Sequence, residues 1–381
     1  MIFRILEDQF AQKAREARDA DRRFMELALA LGRRGQGRSW PNPAVGAVIV
    51  KDGVIVGRGW TQPGGRPHGE PEALRRAGDA ARGATLYVTL EPCSHFGKSP
   101  PCADAVIAAG IKRVVAAIED PNPEVAGQGH ARLRAAGIHV DVGLCAAEAA
   151  FDHAGHFRRI RDKRPHVILK LAASPDGKIG AAGGKPVAIT GEAARHRVHL
   201  LRAQSDAILV GIGTVLADDP LLTCRLPGMA ARSPVRVVLD QNLRMPGASQ
   251  LVRTARETPL WVIASELAEA AAATRLGAVG AQIMRVPPCT SGLDLPAVLQ
   301  ALAGKGITRL MVEGGSRVAA SFVAADLVDE IWLFRGAEAV GEGGVDALDA
   351  MPLSKITQSQ AYKVHASETF GKDTLTIYER A

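Results

Sequence analysis

The sequence is poor in aromatic residues and contains no long apolar run. Aromatic residues make up 4% of the 381 positions, which leaves few side chains on which single-stranded nucleic acid could stack. No apolar run approaches the ~20 residues that cross a bilayer. The N-terminal stretch also lacks the continuous apolar core of a secretory signal. We therefore expect a cytoplasmic protein that binds neither a membrane nor nucleic acid.

Cysteine is also scarce, and this excludes a disulfide framework. The five cysteines are scattered along the chain at Cys93, Cys102, Cys145, Cys224 and Cys289. In a cytosolic protein, a close pair such as Cys93 and Cys102 is more typical of a metal or catalytic site. The formal net charge of +7 suits nucleic acid and small anionic phosphates equally well. Charge alone therefore leaves the class of ligand open.

The length of the chain predicts two domains, because single hydrophobic cores usually stop growing at roughly 250–300 residues. One series of alternating strand and helix patterns precedes the basic stretch RRIRDKRP at 158–165, and a second series follows it. We expect a polar extension at 1–20, a first domain at 21–157, a linker at 158–165 and a second domain at 166–381. A solvated charge run is the simpler interpretation of the basic stretch. Asp52-Gly53 lies between two apolar runs and predicts a β-hairpin.

Three short pieces of the first domain predict a zinc site. They are His68-Gly69-Glu70, Pro92-Cys93 and Pro101-Cys102. One imidazole and two thiolates leave the fourth position of a catalytic zinc open for water, and Glu70 would then move that water's proton. The order of these residues matches the signature of zinc deaminases. A closed structural site with His95 as fourth ligand is the alternative, but it gives Glu70 no role in proton transfer.

Longer motifs resemble one family. Eight residues separate Cys93 from Cys102, a longer spacing than in nucleic-acid deaminases. The stretch TLEPCSHFGKSPPC, which ends at Cys102, is similar to that of the bifunctional riboflavin biosynthesis proteins. In this family a diaminohydroxyphosphoribosylaminopyrimidine deaminase is joined to a 5-amino-6-(5-phosphoribosylamino)uracil reductase. The resemblance extends over nearly the whole chain from about Phe24, through the segments Pro41–Gly46, Asp120–Pro123, Lys170–Lys178, Leu201–Leu209, Gly213–Arg225 and Val312–Ser316.

This resemblance implies an α/β fold with an N-terminal cytidine-deaminase-like three-layer domain and a C-terminal dihydrofolate-reductase-like α/β domain. It implies zinc-dependent deamination of 2,5-diamino-6-(5-phosphoribosylamino)pyrimidin-4-one and then reduction of the ribosyl group to ribityl by NADPH. The partner is this phosphoribosyl pyrimidine, and we expect a homo-oligomer. The zinc ligands are then His68, Cys93 and Cys102, and Glu70 is the catalytic carboxylate.

The resemblance also assigns binding residues. Asn42 would hold the base, although a turn residue in Pro-Asn-Pro is an equally simple interpretation. The implied contacts in the second domain are Arg202, Leu222, Arg225 and Glu313 for the substrate, and Ala172, Thr214, Asp218, Gly315, Ser316 and Arg317 for NADPH.

The chemistry of these residue types fits phosphate ligands. Guanidinium groups such as Arg202 and Arg225 bind phosphate in a forked geometry, although either could be a surface arginine. The Gly314-Gly315 pair between a strand and a helix would let backbone amides approach a phosphate. There is no Rossmann Gly-x-Gly-x-x-Gly fingerprint in this half. Lys170 and Asp218 are the candidates for a general acid.

Several positions depart from the family pattern. Gly69 replaces an alanine, Thr61 replaces a frequent histidine, and Pro186 and Ala188 replace a serine and a tryptophan near the expected reductase site. These last two changes predict weakened reduction, so a deaminase with a weakened reductase domain is one alternative function. A nucleoside or nucleic-acid deaminase with an accessory domain is a second, and a zinc-stabilised binding module is a third.

Overall fold

The computed structural model describes residues 2–97, 99–184, 187–290 and 292–381. The chain divides into two compact units, Met1–Asp162 and Lys163–Ala381, and each has its own main sheet. Within the described ranges, none of the helices combines the length and the apolar character that a bilayer span requires.

The first unit is built around a five-stranded sheet in the order β2-β1-β3-β4-β5. Its strands are β1 (Gly46–Lys51), β2 (Val54–Trp60), β3 (Thr85–Val88), β4 (Arg113–Ala116) and β5 (His139–Val142). Its helices are α1 (Ile2–Gly32), α2 (Gly69–Ala77), α3 (Cys102–Ala108), α4 (Gln128–Ala135), α5 (Ala146–Asp152) and α6 (Ala154–Asp162). β1 and β2 pair antiparallel through a turn at Asp52 and Gly53, both with positive φ. The predicted hairpin is therefore confirmed.

Helices cover both faces of this sheet. Successive side chains of a strand point to opposite faces, so Ile49 packs with Ala73 of α2 and Val106 of α3. Val48, its neighbour in the chain, packs with Met25 of α1 on the other face. The three-layer arrangement expected for the first domain is confirmed.

Two glycines of β2 bring α2 unusually close to the sheet. A Cβ atom at Gly57 would lie 2.3 Å from the carbonyl oxygen of Ala73, and one at Gly59 would lie 2.1 Å from that of Gly69. No side chain fits at either position, so the helix rests on bare backbone. This contact fixes the start of α2, where His68 and Glu70 lie.

The first helix begins much earlier than the sequence predicts. We expected a polar extension at 1–20 and a helix from about Asp21, but α1 begins at Ile2. Polar pairs one turn apart add stability to such a helix. Examples are the hydrogen bond from Gln12 to Glu16 and the ion pair of Arg22 with Glu26.

The predicted linker at 158–165 is partly helical. Residues 158–162 form the end of α6, where Arg158 pairs with Asp162 at 2.7 Å. Arg158 and Arg159 are half-buried, Arg161 is exposed, and Phe157 is buried beside them. Lys163, with φ of 55°, follows the helix. The non-helical connection between α6 and β6 is therefore shorter than the linker predicted at 158–165.

The second unit is built around a nine-stranded sheet in the order β11-β10-β9-β8-β14-β6-β15-β18-β17. Its strands are β6 (His166–Ala173), β7 (Lys178–Gly180), β8 (Ala207–Gly211), β9 (Val235–Leu239), β10 (Leu260–Ser265), β11 (Gln282–Val286), β12 (Pro288–Cys289), β13 (Gly292–Leu293), β14 (Arg309–Val312), β15 (Glu330–Arg335), β16 (Val345–Asp346), β17 (Tyr362–Phe370) and β18 (Asp373–Arg380). Its helices are α7 (Glu192–Gln204), α8 (Ile212–Asp218), α9 (Gln250–Arg253), α10 (Ala270–Ala278), α11 (Leu295–Gly304), α12 (Ser316–Ala324) and α13 (Ser354–Thr357).

Parallel pairing positions the loops of the second unit. Strands β6, β8, β9 and β14 run in the same direction, whereas β18 pairs antiparallel with β15 and β17. The carboxyl ends of the parallel strands therefore meet at one edge of the sheet, which is where open α/β sheets usually bind ligands.

Candidate active sites

Three side chains of the first unit form a candidate metal centre. His68 precedes α2, Cys93 follows β3 in a loop, and Cys102 begins α3. Their ligand atoms all lie within 4.8 Å of one another. Nδ1 of His68 is 3.3 Å from Sγ of Cys102 and 3.8 Å from Sγ of Cys93. Within the described residues, His95 is not part of this cluster, which disfavours a closed site.

The Pro-Pro-Cys segment brings the two thiols together. The backbone amide of Cys102 donates a hydrogen bond to Sγ of Cys93 at 3.3 Å, and that of Ala103 donates to the carbonyl of Cys93 at 3.1 Å. Hydrogen bonds from Cys102 and His68 lower the pKa of the Cys93 thiol, against the effect of burial. The proximity of Cys93, together with burial, raises the pKa of Cys102. Two thiolates in contact repel, and a bound dication relieves that repulsion.

Glu70 lies beside this cluster without belonging to it. The residue is 2% exposed, and its Oε2 atom has no hydrogen-bond partner in the part of the chain that the structure describes. Burial raises the pKa of Glu70 to about 7, the charge of Cys93 adds to the increase, and His68 opposes it. A carboxyl group with an unsatisfied oxygen is placed to accept and donate a proton.

Asn42 contacts the histidine of the cluster. Its Nδ2 atom donates to the carbonyl of Gly65 at 2.9 Å and lies 3.1 Å from Nε2 of His68. The other ring nitrogen, Nδ1, faces the two thiols. Asn42 therefore lies against the edge of the imidazole ring that faces away from the thiols, and the contact is a hydrogen bond only when Nε2 accepts and Nδ1 carries the ring proton. This contact was not foreseen from the sequence, which indicated only base binding or a turn.

A second supporting group was missed by motif reasoning. Glu91 is buried two residues before Cys93, and its carboxylate accepts hydrogen bonds from the amides of Asp120, Gly127 and His130 at 3.0–3.3 Å. The loop that carries Asp-Pro-Asn-Pro is thereby tied to the loop that carries Cys93. In the sequence, this contact is indicated by the presence of both the Glu-Pro-Cys motif at 91–93 and the Asp-Pro-Asn-Pro motif at 120–123.

Thr61 stands where the family often has a histidine. It is 1% exposed, and its hydroxyl accepts a hydrogen bond from the amide of Val45 at 3.0 Å. Thr61 therefore connects β1 to the loop after β2 and is not directed into an open site.

A large cavity lies at the carboxyl edge of the second sheet. Its volume is about 1010 Å³. The following residues expected from the sequence line it: Ala172, Arg202, Thr214, Asp218, Arg225, Glu313, Gly315, Ser316 and Arg317. Leu222 is the exception, because it is 3% exposed and packs in the hydrophobic core. Ala188 also lines the cavity, and Pro186 lies outside the described residues.

The guanidinium group of Arg202 forms an ion pair with the carboxylate of Glu313. It donates two hydrogen bonds of 2.9 Å to Glu313 and a third of 3.0 Å to the carbonyl of Thr223. Lys170 approaches the same carboxylate at 3.4 Å. Burial favours the neutral acid, but the two cations prevail and lower the pKa of Glu313 to about 2. The phosphate contact expected of Arg202 stays a prediction, and in this structure its guanidinium group forms an internal ion pair.

His199 is a cavity residue that the sequence did not indicate. Its Nδ1 atom accepts a hydrogen bond from the backbone amide of Arg225 at 3.3 Å. Burial and the positive charges of Arg202 and Arg225 lower the pKa of His199 to about 4. The imidazole is therefore neutral near pH 7 and holds the segment that carries Arg225.

The Gly-Gly turn after β14 leaves its backbone open to a ligand. A Cβ atom at Gly314 would lie 2.8 Å from Val210, and Gly315 has a φ of 55° that side-chain-bearing residues avoid. α12 begins at the next residue, Ser316, and both lie on the cavity wall. Unpaired amides at such a helix start are suited to bind phosphate.

Comparison with known proteins covers both units. The family described as the RibD C-terminal domain matches residues 165–376, and the cytidine and deoxycytidylate deaminase zinc-binding region matches residues 18–118. The chain is 41% identical over 363 residues to a riboflavin biosynthesis protein RibD of Aquifex aeolicus, covering 95% of this chain and 99% of that one. It is also 41% identical to the protein of the same name from Escherichia coli, covering 93% and 97%.

Solved structures agree with this similarity. A diaminohydroxyphosphoribosylaminopyrimidine deaminase/5-amino-6-(5-phosphoribosylamino)uracil reductase from Thermotoga maritima superposes with a TM-score of 0.83 at 35% identity, covering 96% of this chain and all of the other. A RibD structure from Acinetobacter baumannii gives 0.82 at 34% identity, with 96% of this chain covered. The expected pairing of a cytidine-deaminase-like domain with a reductase domain is confirmed.

Proposed function

The chain belongs to the RibD family of riboflavin biosynthesis proteins, a deaminase domain followed by a reductase domain, and on that premise we propose its cofactors, substrate and catalytic residues. The first unit uses zinc to deaminate 2,5-diamino-6-(5-phosphoribosylamino)pyrimidin-4-one, and the second uses NADPH to reduce the ribosyl group of the product to ribityl. The observation that carries the proposal is the unpartnered carboxylate oxygen of Glu70 beside His68, Cys93 and Cys102.

The donor set fits zinc. One imidazole nitrogen and two sulfurs are ligands that zinc prefers, and three protein ligands are typical of its catalytic sites. His68, Cys93 and Cys102 would hold the ion. When bound, zinc supplies a Lewis acid that makes water a nucleophile at neutral pH. With Nδ1 on the ion, Nε2 carries the ring proton, and Asn42 packs against that edge of the ring.

Glu70 moves the protons of the deamination. It accepts one proton from the water that attacks the amino-bearing ring carbon, and it delivers that proton to the adjacent ring nitrogen. A second proton from the same water passes through Glu70 to the leaving amine. Ammonia departs, and the ring keeps the oxygen as a carbonyl group. Glu70 is 2% exposed, and it acts here as a general acid–base group.

The second unit binds and orients its two ligands. The Gly314-Gly315 backbone and Ser316 would hold the cofactor's pyrophosphate, and Arg225 would hold the ribose phosphate. When bound, NADPH supplies the hydride that reaches C1 of the ribosyl group. Lys170, held by Glu313, is placed to donate the proton that the opened ring oxygen takes up.

One assay separates this function from its alternatives. The purified full chain, loaded with zinc, receives the phosphoribosylaminopyrimidine, cytidine or a deoxycytidine oligonucleotide, and ammonia is measured in each case. We expect ammonia from the first compound alone, and a fall in NADPH absorbance when the cofactor is present. Ammonia release from cytidine or from the oligonucleotide would instead support a nucleoside or nucleic-acid deaminase.

Removal of the metal gives a second, independent result. Dialysis against a chelator should abolish ammonia release, and added zinc should restore it. Oxidation of NADPH with the deaminated intermediate should continue in the zinc-free protein, because the cavity of the second unit contains none of the metal ligands. Deamination that survives complete zinc removal would contradict the proposed metal site.

A further inference from the structure

We propose that Glu91, Glu119 and His130 form a second metal site in the first unit, which binds a zinc-class dication and fastens two loops and a helix together. Each of the three residues offers one ligand atom, and these atoms all lie within 4.8 Å of one another. Among the described residues, the other cluster of this kind is the candidate deaminase centre. The second site shares no residue with that centre, and it does not depend on the function proposed above.

The imidazole of His130 lacks the hydrogen bonds that a buried polar side chain normally forms. The residue is 1% exposed, and its Nε2 atom has no hydrogen-bond partner in the described part of the chain. Its Nδ1 atom lies 3.8 Å from Oε1 of Glu91, which is too far for a hydrogen bond. Buried polar groups are nearly always paired, and a metal ion is one of the partners that can satisfy an exception.

The separation of Nδ1 of His130 from Oε1 of Glu91 suits two ligands of one ion. Zinc binds imidazole nitrogen at about 2.0–2.1 Å and carboxylate oxygen at about 2.0–2.2 Å, usually with tetrahedral geometry. Two such ligands then lie roughly 3.4 Å apart, so a small shift of either side chain is sufficient. In the candidate deaminase centre, Nδ1 of His68 lies 3.3 Å and 3.8 Å from the two sulfurs. The two clusters are therefore comparably tight.

The hydrogen bonds of the Glu91 carboxylate leave an acceptor position free on the same oxygen. A carboxylate has about four acceptor positions. Oε2 accepts from the amides of Asp120 and Gly127, whereas Oε1 accepts from the amide of His130. The remaining position is therefore on Oε1, the atom that faces the imidazole. The three amides also fix the carboxylate, so that this ligand is held in place before an ion binds.

Glu119 completes the proposed site at the surface. Its side chain is exposed, whereas Glu91 and His130 are buried, so the cluster opens to solvent on the side of Glu119. An ion can enter there, and water can supply a fourth ligand. Within the described ranges, neither carboxylate forms an ion pair with a lysine or an arginine. Two acidic groups thus approach each other without an opposite charge from such a residue, and a bound dication would supply that charge.

The donor set indicates the class of ion. Imidazole together with carboxylate oxygen suits zinc and similar transition metals, whereas magnesium and calcium prefer oxygen ligands alone. Glu91 lies in the loop after β3, Glu119 follows β4, and His130 is in α4. A bound ion would therefore hold together the segments that the hydrogen bonds of Glu91 already link.

The number of zinc ions bound by the full chain tests this site. Protein freed of metal by a chelator is dialysed to equilibrium against micromolar free zinc, and bound zinc per chain is measured by inductively coupled plasma mass spectrometry. We expect Glu119→Gln and His130→Leu each to bind one ion fewer than the wild-type protein, one instead of two, because each removes a ligand. Glu119→Gln should fold normally, since its side chain is exposed. If either variant binds as many ions as the wild-type protein, the site is overturned.

The matched controls are Glu124→Gln and His139→Gln. Both change an exposed residue of the first unit that lies outside the cluster. Both variants should bind as many zinc ions as the wild-type protein. If they also lose one ion, zinc binds to surface side chains in general, and the inference fails.

A further variant separates this site from the deaminase centre. Cys93→Ser with Cys102→Ser removes both thiolates and should keep one zinc ion. That ion should raise the melting temperature of the variant, because it binds the folded state alone, and adding Glu119→Gln should abolish both effects. A double cysteine variant that binds no zinc would overturn the second site and leave the deaminase centre standing. One ion in the wild-type protein and none in Glu119→Gln would instead support the second site and contradict the deaminase centre.

Discussion

The two candidate sites each contain a carboxylate with little exposure, yet their surroundings shift its pKa in opposite directions. Burial raises the pKa of Glu70 to about 7, whereas burial opposed by Arg202 and Lys170 leaves that of Glu313 at about 2. Glu70 keeps an unpartnered oxygen, and Glu313 uses both of its oxygens for Arg202. Burial alone therefore does not define a carboxylate's role; the charges in contact with it decide between proton transfer and support.

The largest effect expected from this contrast is a loss of catalysis without a loss of stability. Glu70→Gln should lower the rate of ammonia release about 10²- to 10⁴-fold, the usual contribution of a general acid–base residue. The amide cannot carry the proton, but it fills the same space and removes an uncompensated buried charge. Zinc content and the melting temperature of the first unit should therefore stay at or above wild-type values.

The matched control is Glu72→Gln on the same helix. Glu72 pairs with Arg75 and Arg76 and takes no part in the metal cluster. It should keep full deaminase activity. A Glu70→Gln variant that retains activity, or that loses zinc together with stability, would make Glu70 a structural residue and remove the contrast between the two sites.

The second prediction is a loss of stability in the other unit. Glu313→Gln leaves Arg202 and Lys170 facing each other without a negative charge. We expect the free energy of unfolding to fall by about 2–4 kcal/mol, a little below the cost of breaking a fully buried pair because these side chains keep some solvent contact. Urea unfolding followed by tryptophan fluorescence measures it, as a shift of the transition that Trp261 and Trp332 of the second unit report beside Trp40 and Trp60 of the first.

A double variant sharpens this result. Arg202→Met with Glu313→Met leaves Lys170 as the one remaining charge of the cluster, in place of the two facing cations of Glu313→Gln, and should recover part of the stability lost in Glu313→Gln. If Glu313→Gln unfolds like the wild-type protein, the carboxylate of Glu313 does not stabilise the second unit. The contrast with Glu70 would then be lost.

The smallest expected effect is a change in pH dependence. The pKa of His199 is about 4 in the folded protein, against 6.5 for a free imidazole. As the pH falls from about 6.5 to about 4, the unfolded chain takes up this proton before the folded one, so stability is lost across that window. His199→Gln should reduce the loss, as measured by urea unfolding at several pH values. Equal slopes for variant and wild type would show that the imidazole titrates normally.

The sequence predicted the first site far better than the second. His68, Cys93 and Cys102 occur within a short stretch, and zinc chemistry dictates their types, so motif reasoning could find them. The hairpin at Asp52-Gly53 was also foreseen, because a glycine that tolerates positive φ between two apolar runs is a local signal. The early start of α1 was missed because the many charged residues of this stretch suggest a polar extension, although the helix is amphipathic.

The second site could be predicted only as a set of residue types. Whether Arg202 binds a phosphate or a carboxylate depends on a contact with Glu313, 111 positions further along the chain. Nothing in the local pattern reveals such a pair. For the same reason His199 went unnoticed, since its importance comes from its contact with the segment of Arg225 and not from a motif.

The bare-backbone contact of α2 with Gly57 and Gly59 has a consequence for how the metal centre can vary. Ordinary interfaces adjust when a side chain is exchanged for one of another size, but here there is no side chain to exchange. The distance of His68 and Glu70 from the sheet is therefore set by main-chain geometry alone. Substitutions elsewhere in the core can be absorbed by repacking, whereas even an added methyl group at either glycine would displace the ligand and the proton carrier together.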